Sequence, residues 1–164
     1  MDAVTYAKKT LEQSFALFNV IADGLTDEQY NWKPEGTANN IAKSHVHAMS
    51  SIDFFITATL AGGQMIWPEI AAQHRLPENP TEIWAHASPI PFAPMKEYAA
   101  RVQKAALEYV STLTDADLDR EVDTAFFGKK NVAFLVSLSG VHAMGHGGDI
   151  AAIKGLQGLK GLPF

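Results

Sequence analysis

Apolar residues recur at helical spacing through four long segments of this chain, and that periodicity constrains its fold more than any other feature. Residues 3–23 carry Leu11, Phe15, Leu17, Phe18 and Ile21 at that spacing, with Gly24 as a stop signal. Residues 39–61 repeat it with Ile41, Ala48, Ile52, Phe55 and Thr59, opened by Asn39 or Asn40 as a cap and ended by Gly62-Gly63. A third helix is predicted over 94–113, with Pro94 in its first turn and Met95, Tyr98, Ala99, Val102, Ala105, Ala106 and Tyr109 on its apolar stripe. A fourth is predicted over 131–154, through Val132, Leu135, Val136, Leu138 and Val141.

The segments between these helices are mostly polar or broken. Thr26-Asp27-Glu28 and Thr114-Asp115-Ala116-Asp117 each read as a short capped turn. Five of the eight prolines fall between Pro68 and Pro91, so residues 64–92 are the least regular part. Residues 121–127 are compatible with a strand, but Gly128-Lys129-Lys130-Asn131 reads as a turn and no partner strand is evident. The tail, with glycine at 155, 158 and 161, is not expected to continue the last helix. The fold class that follows is all-α: a four-helix bundle with a long irregular connection over 62–93, in one domain spanning 1–164. A chain of 164 residues is long enough to bury such a core.

Charge and composition exclude several functions. The formal net charge is -5 and the basic residues are scattered, which opposes nucleic-acid binding. No stretch approaches the roughly 18 consecutive apolar residues of a membrane helix. The first residues lack a basic start followed by an apolar run, so a cytoplasmic protein is expected. Without cysteine there can be no disulfide, no thiolate nucleophile and no cysteine zinc site.

Six histidines remain as candidates for chemistry. His142 and His146 are four apart on the last helix, so they share a face with Cβ atoms ~5–6 Å apart. Two imidazoles so placed can converge on one divalent ion. No Glu follows the first of them, which sets the pair apart from the metalloprotease His-Glu-x-x-His pattern. Gly145, Gly147 and Gly148 crowd the same stretch at a cost in helix stability, which suggests close approach by another helix or a ligand. On the second helix His45 and His47 point to different sides. His45 lies on the apolar stripe, whereas His47 shares its face with Ser44, Ser51, Phe54 and Ala58. Small and hydroxyl residues above and below a histidine suggest a cleft, so His47 is preferred as third ligand and His45 stays open. His74 and His86, in the irregular connection near Trp84, read as loop histidines, with a capping role over the site as the alternative.

Two segments carry a resemblance. Asn40-Ile41-Ala42-Lys43-Ser44-His45-Val46-His47-Ala48 is similar to the second-helix motif of the DinB/YfiT-like superfamily. His142-Ala143-Met144-Gly145-His146-Gly147-Gly148-Asp149-Ile150-Ala151-Ala152-Ile153-Lys154-Gly155 resembles its last-helix motif, and Gly158-Leu159-Lys160-Gly161-Leu162-Pro163-Phe164 resembles the ending of some members. The resemblance implies a four-helix bundle, often dimeric, with a metal held by three histidines, which by position are His47, His142 and His146. It also implies chemistry with small thiols such as bacillithiol, mycothiol or glutathione. The family often has Glu or Gln where this chain has Asp149. Three residues after His146, Asp149 could still orient that ring; a solvated helix-face carboxylate is the alternative.

A three-histidine site leaves coordination positions open for water or substrate. The cofactor expected is a divalent ion, Zn or Ni first and Fe or Mn next, because imidazole suits several metals. A metal-dependent thiol S-transferase or hydrolase acting on a small molecule is the leading expectation, with no catalytic residue assigned. A non-catalytic stress-response or binding bundle, with a structural or vacant metal site, is the alternative. A homodimer is expected from the resemblance and from Phe54, Trp67 and Phe164, which look exposed.

Overall fold

The computed structural model describes residues 1–162; Pro163 and Phe164, the end of the tail motif, lie outside the described residues. Helix α1 (Ala3–Ala22) is opened by Asp2, whose side chain accepts from the Thr5 amide. A short α2 (Asp27–Asn31) follows, started by a capping box between Thr26 and Gln29. Helix α3 (Ile41–Ile52) is capped by Asn40, which accepts from the Lys43 amide. Then come α4 (Trp67–His74), a 3₁₀ turn (Pro80–Trp84), α5 (Phe92–Ser111), α6 (Asp115–Leu118) and α7 (Val132–Leu156). A second capping box, Thr114 with Asp117, starts α6. These caps satisfy amides that helix geometry leaves without partners.

The long helices share one apolar core. Helix α1 packs along α7 and α5, and α3 packs along the same two. Phe18, Tyr30, Tyr98 and Trp67 are among the largest fully buried side chains. Each buried side chain of this size contributes roughly 1.5–3 kcal/mol through removal from water. Trp67 is therefore a core residue, not part of an exposed aromatic surface. Its ring packs on Tyr98 at 5.4 Å between centroids, and its indole N–H donates to the Pro77 carbonyl at 3.0 Å.

Three local features differ from the sequence reading. First, the chain is not purely helical: β1 (Glu121–Thr124) pairs antiparallel with β2 (Gly128–Asn131), Glu121 opposite Asn131 and Thr124 opposite Gly128. The segment read as a turn is itself a strand. The reversal occurs over residues 125–127, with Gly128 at φ +64°. Second, the helix expected over 39–61 changes its winding at Asp53 and continues as a π-helix to Leu60. Third, the glycines of α7 do not act together. A Cβ on Gly140 would lie 3.2 Å from the Ser14 hydroxyl, so this glycine eases the approach of α1, whereas one on Gly147 would make ordinary contact with Ile21 at 3.5 Å. Cβ atoms at Gly145 and Gly148 would meet open space.

Asp53 ties the π segment to the rest of the chain. Its fully buried carboxyl accepts through Oδ2 from the amides of Ile66 (2.8 Å) and Trp67 (3.0 Å) and from the Tyr98 hydroxyl (3.1 Å). Burial raises its pKa against the opposing pull of those donors. Asp53 thus holds the start of α4 and the middle of α5 to the end of the second long helix. Asp53→Ala leaves two buried donors and the part-buried Ile66 amide unpaired, each buried one costing roughly 1–3 kcal/mol. Urea unfolding should show a loss of about 3 kcal/mol or more; a loss under about 0.5 kcal/mol would contradict this role.

Candidate metal centre

Two packed helices build the site. His47 projects from α3, and His142 and His146 project from α7 one turn apart. One ligand atom from each of the three lies within 4.8 Å of the other two. The rings meet edge to face: His47 and His142 centroids are 5.0 Å apart, His47 and His146 4.9 Å, and His142 and His146 4.6 Å. Hydrogen bonds do not explain this convergence, because none joins the three rings. His142 Nε2 is buried without any partner. A buried, unpartnered imidazole nitrogen amid two other imidazoles fits a cation and fits little else.

Electrostatics favour the same use. Burial, with a smaller contribution from His146, pushes the His47 pKa down to about 4. Burial, then His146 and His47, push His142 down to about 4. Both rings are therefore neutral at neutral pH, with a lone pair available to a metal and no proton to displace. Asp149 accepts a hydrogen bond from His146 Nδ1 at 2.9 Å. A carboxylate acceptor there places the proton on Nδ1 and leaves Nε2 of His146 with the lone pair a metal needs. Asp149 reaches the ring because residues three apart share a helix face, so its shorter side chain suffices.

The other sequence candidates fall elsewhere. His45 is buried on the core side of α3, its Nδ1 paired with the Tyr30 hydroxyl at 2.9 Å, and it does not join the cluster. Ser51 lines a cavity that opens beside His47 and His142; Ser44 is buried and does not line it, while Ser50 does. His74 sits in α4. His86 lines a separate polar cleft with Lys33, Lys43 and Trp84. The irregular connection does cover the site, but through Trp84, whose ring packs on His47 at 4.8 Å. Phe126 and Phe127 of the hairpin also line the cavity. No periodic signal could have placed them there, because their position depends on a hairpin that the sequence reading did not pair.

A family model described as the DinB superfamily matches residues 10–150. Among solved structures, a conserved protein from Enterococcus faecalis superposes with a TM-score of 0.80 at 16% identity, over 95% of this chain and 97% of that one. A DinB-like protein from Bacillus subtilis superposes with a TM-score of 0.66 at 18% identity, over 97% of this chain and 96% of that one. At such identities the likeness is one of fold alone. No curated protein matches the sequence.

The lowered pKa values of His45, His47 and His142 give a testable pH dependence. Between about pH 6.5 and 4 the unfolded chain binds protons at these positions and the folded chain does not. Metal-free protein should therefore lose stability as pH falls through that window. Thermal unfolding at pH 7.5, 6 and 5 should show it, with a shallower slope in the His47→Gln, His142→Gln double variant. Identical slopes in both proteins would remove the two cluster histidines as the cause.

Proposed function

The chain belongs to the DinB superfamily, and on that footing we propose that it is a metal-dependent enzyme acting on a small molecule, with His47, His142 and His146 as the ligands of one divalent ion. The observation that carries this is the convergence of three imidazoles, two of them held neutral by burial, next to an open cavity. Zn²⁺ or Ni²⁺ suits an all-imidazole set best, and Fe²⁺ or Mn²⁺ can also be held by one. Once bound, the ion would supply Lewis acidity, lowering the pKa of a coordinated thiol or water. Thiol S-transfer and hydrolysis are the reaction types that use this acidity. With no cysteine in the chain, a thiol must arrive as a co-substrate.

The chain's own residues have distinct roles in this proposal. His47 and His142 present neutral nitrogens from two different helices, so the α3–α7 packing sets the size of the site. Asp149 fixes the tautomer and tilt of His146. Trp84 covers the outer side of His47 and limits access of water there. The long helices α1, α3 with its π continuation, α5 and α7 are read as a four-helix bundle whose interior end carries the metal. No helix among the described residues is long and apolar enough to cross a membrane. A homodimer is proposed through the α1–α7 face, where Tyr6 and Val141 are exposed on one groove.

A non-catalytic bundle with a structural metal would use the same histidines but has no need of the cavity beside them. Protein purified without a histidine tag should hold about one divalent ion per chain by mass spectrometry of its metal content. His142→Ala together with His146→Ala should abolish it, and full occupancy in that variant would remove the proposed site. Asp149→Asn should weaken metal affinity about 10-fold while leaving the stoichiometry unchanged. The metal-loaded protein should turn over one of a panel of low-molecular-weight thiols with an electrophile; loading without any turnover would favour the structural-metal alternative.

A further inference from the structure

The cavity beside the histidines has a chemical character that the metal alone does not dictate. Its volume is about 650 Å³, within the roughly 300–1,000 Å³ typical of small-molecule sites. Its walls are Phe54, Phe55, Met65, Phe126, Phe127 and Leu138. His47 and His142 line one side of it, so an occupant of the cavity lies against two of the three imidazole rings. No Lys, Arg, Asp or Glu lines it among the described residues. Its polar groups are neutral ones, such as the hydroxyls of Ser51 and Thr81.

The aromatic walls come from two separate parts of the chain. Phe54 and Phe55 stand on the π segment, 5.7 Å apart between ring centroids. Phe126 meets Phe54 at 5.6 Å, and Phe127 meets Phe55 at 6.0 Å and Phe134 at 5.5 Å. Yet Phe126 remains 68% exposed and Phe127 40%. Large apolar rings left open to water beside a concave site mark a surface that gains by being covered. A ligand with charged groups along its body would have to shed their hydration against phenyl rings with no counter-charge, which is costly.

We propose, resting on the three-histidine reading above, that this cavity takes a small molecule with an uncharged aromatic or alkyl body and a single metal-binding head. The body lies between the phenylalanines of the π segment and those of the hairpin, and the head points at His47 and His142. A peptide-like thiol such as glutathione, with carboxylates and an ammonium along its length, does not suit these walls. In an S-transfer reaction the cavity would therefore hold the apolar partner, while the charged thiol approaches from outside it.

The test uses three hydroxamates with the same head and different bodies, titrated into Co²⁺-loaded protein and read through the visible cobalt bands. Benzohydroxamate should bind at least ten-fold tighter than acetohydroxamate, which is about 1.4 kcal/mol. Succinate monohydroxamate, which adds a carboxylate instead of a ring, should bind no tighter than acetohydroxamate. Phe126→Ala with Phe127→Ala should weaken benzohydroxamate at least five-fold and leave acetohydroxamate and cobalt content unchanged. Phe126→Ala alone, at the more exposed position, should give a smaller loss of the same sign. Equal affinity for the three probes, or benzohydroxamate binding indifferent to both variants, would overturn the proposal while leaving the metal centre intact. Failure to take up cobalt would instead overturn the metal centre. In that event benzyl alcohol and metal-free protein, followed by saturation-transfer NMR, decide on the cavity: a signal that the double variant loses supports an apolar pocket, and no signal in the wild type overturns it.

Discussion

The contact between α3 and α7 brings three half-buried imidazoles together, two of them held neutral by burial. An imidazole near an apolar core loses hydration, and three of them share that loss without a hydrogen bond among them to offset it. The cluster is tolerable in the metal-free chain because burial holds His47 and His142 neutral, with pKa values of about 4, so no like charges repel. That same neutrality leaves their lone pairs available to a cation. The site therefore depends on helix packing more than on the histidines themselves. Gly140 lets α1 approach α7 closely, and the core formed by α1, α3, α5 and α7 fixes how far His47 stands from the α7 pair.

The π segment extends this geometry into a site with walls. Its wider winding begins at Asp53, whose buried carboxyl binds two amides at the start of α4 and the Tyr98 hydroxyl. Phe54 and Phe55 immediately follow, and they form the floor on which the hairpin phenylalanines pack. π segments recur at functional sites because they re-aim side chains that regular winding would send elsewhere. Here one buried carboxyl anchors the segment, two rings line the cavity, and His47, less than two turns upstream, meets the rings of His142 and His146.

Much of this was legible in the sequence, and the omissions have physical causes. The long helices could be read because helical burial repeats along the chain, and Asn40, Thr26 and Thr114 cap where short polar side chains precede an apolar run. The His142–His146 pair was legible because spacing on a helix fixes a shared face. The helix face favoured His47 but left His45 open, and it is the packing of His45 on Tyr30 that takes it out of the cluster. The π winding was not legible, since a stripe at period 3.6 continues across it with little disruption. The hairpin was hidden because β1 and β2 are four residues each and carry mostly polar side chains, so neither shows alternation. Trp67 looked exposed among prolines and glycines, but its burial depends on Tyr98 and the Pro77 carbonyl, partners distant in sequence. Ser44 shares a helix face with His47, yet only packing against other elements decides that Ser50 and Ser51 line the cavity instead.

Everything claimed for function returns to whether three imidazoles hold one ion. X-ray absorption at the metal edge of the zinc-loaded protein addresses this without reference to activity. About three imidazole nitrogens near ~2.0–2.1 Å, with their outer-ring scattering, and one or two further light atoms are expected. The imidazole count should fall in His47→Ala, which removes the ligand that α3 alone supplies. A shell of oxygen atoms without imidazole scattering, or a spectrum unchanged by His47→Ala, would contradict the proposed centre.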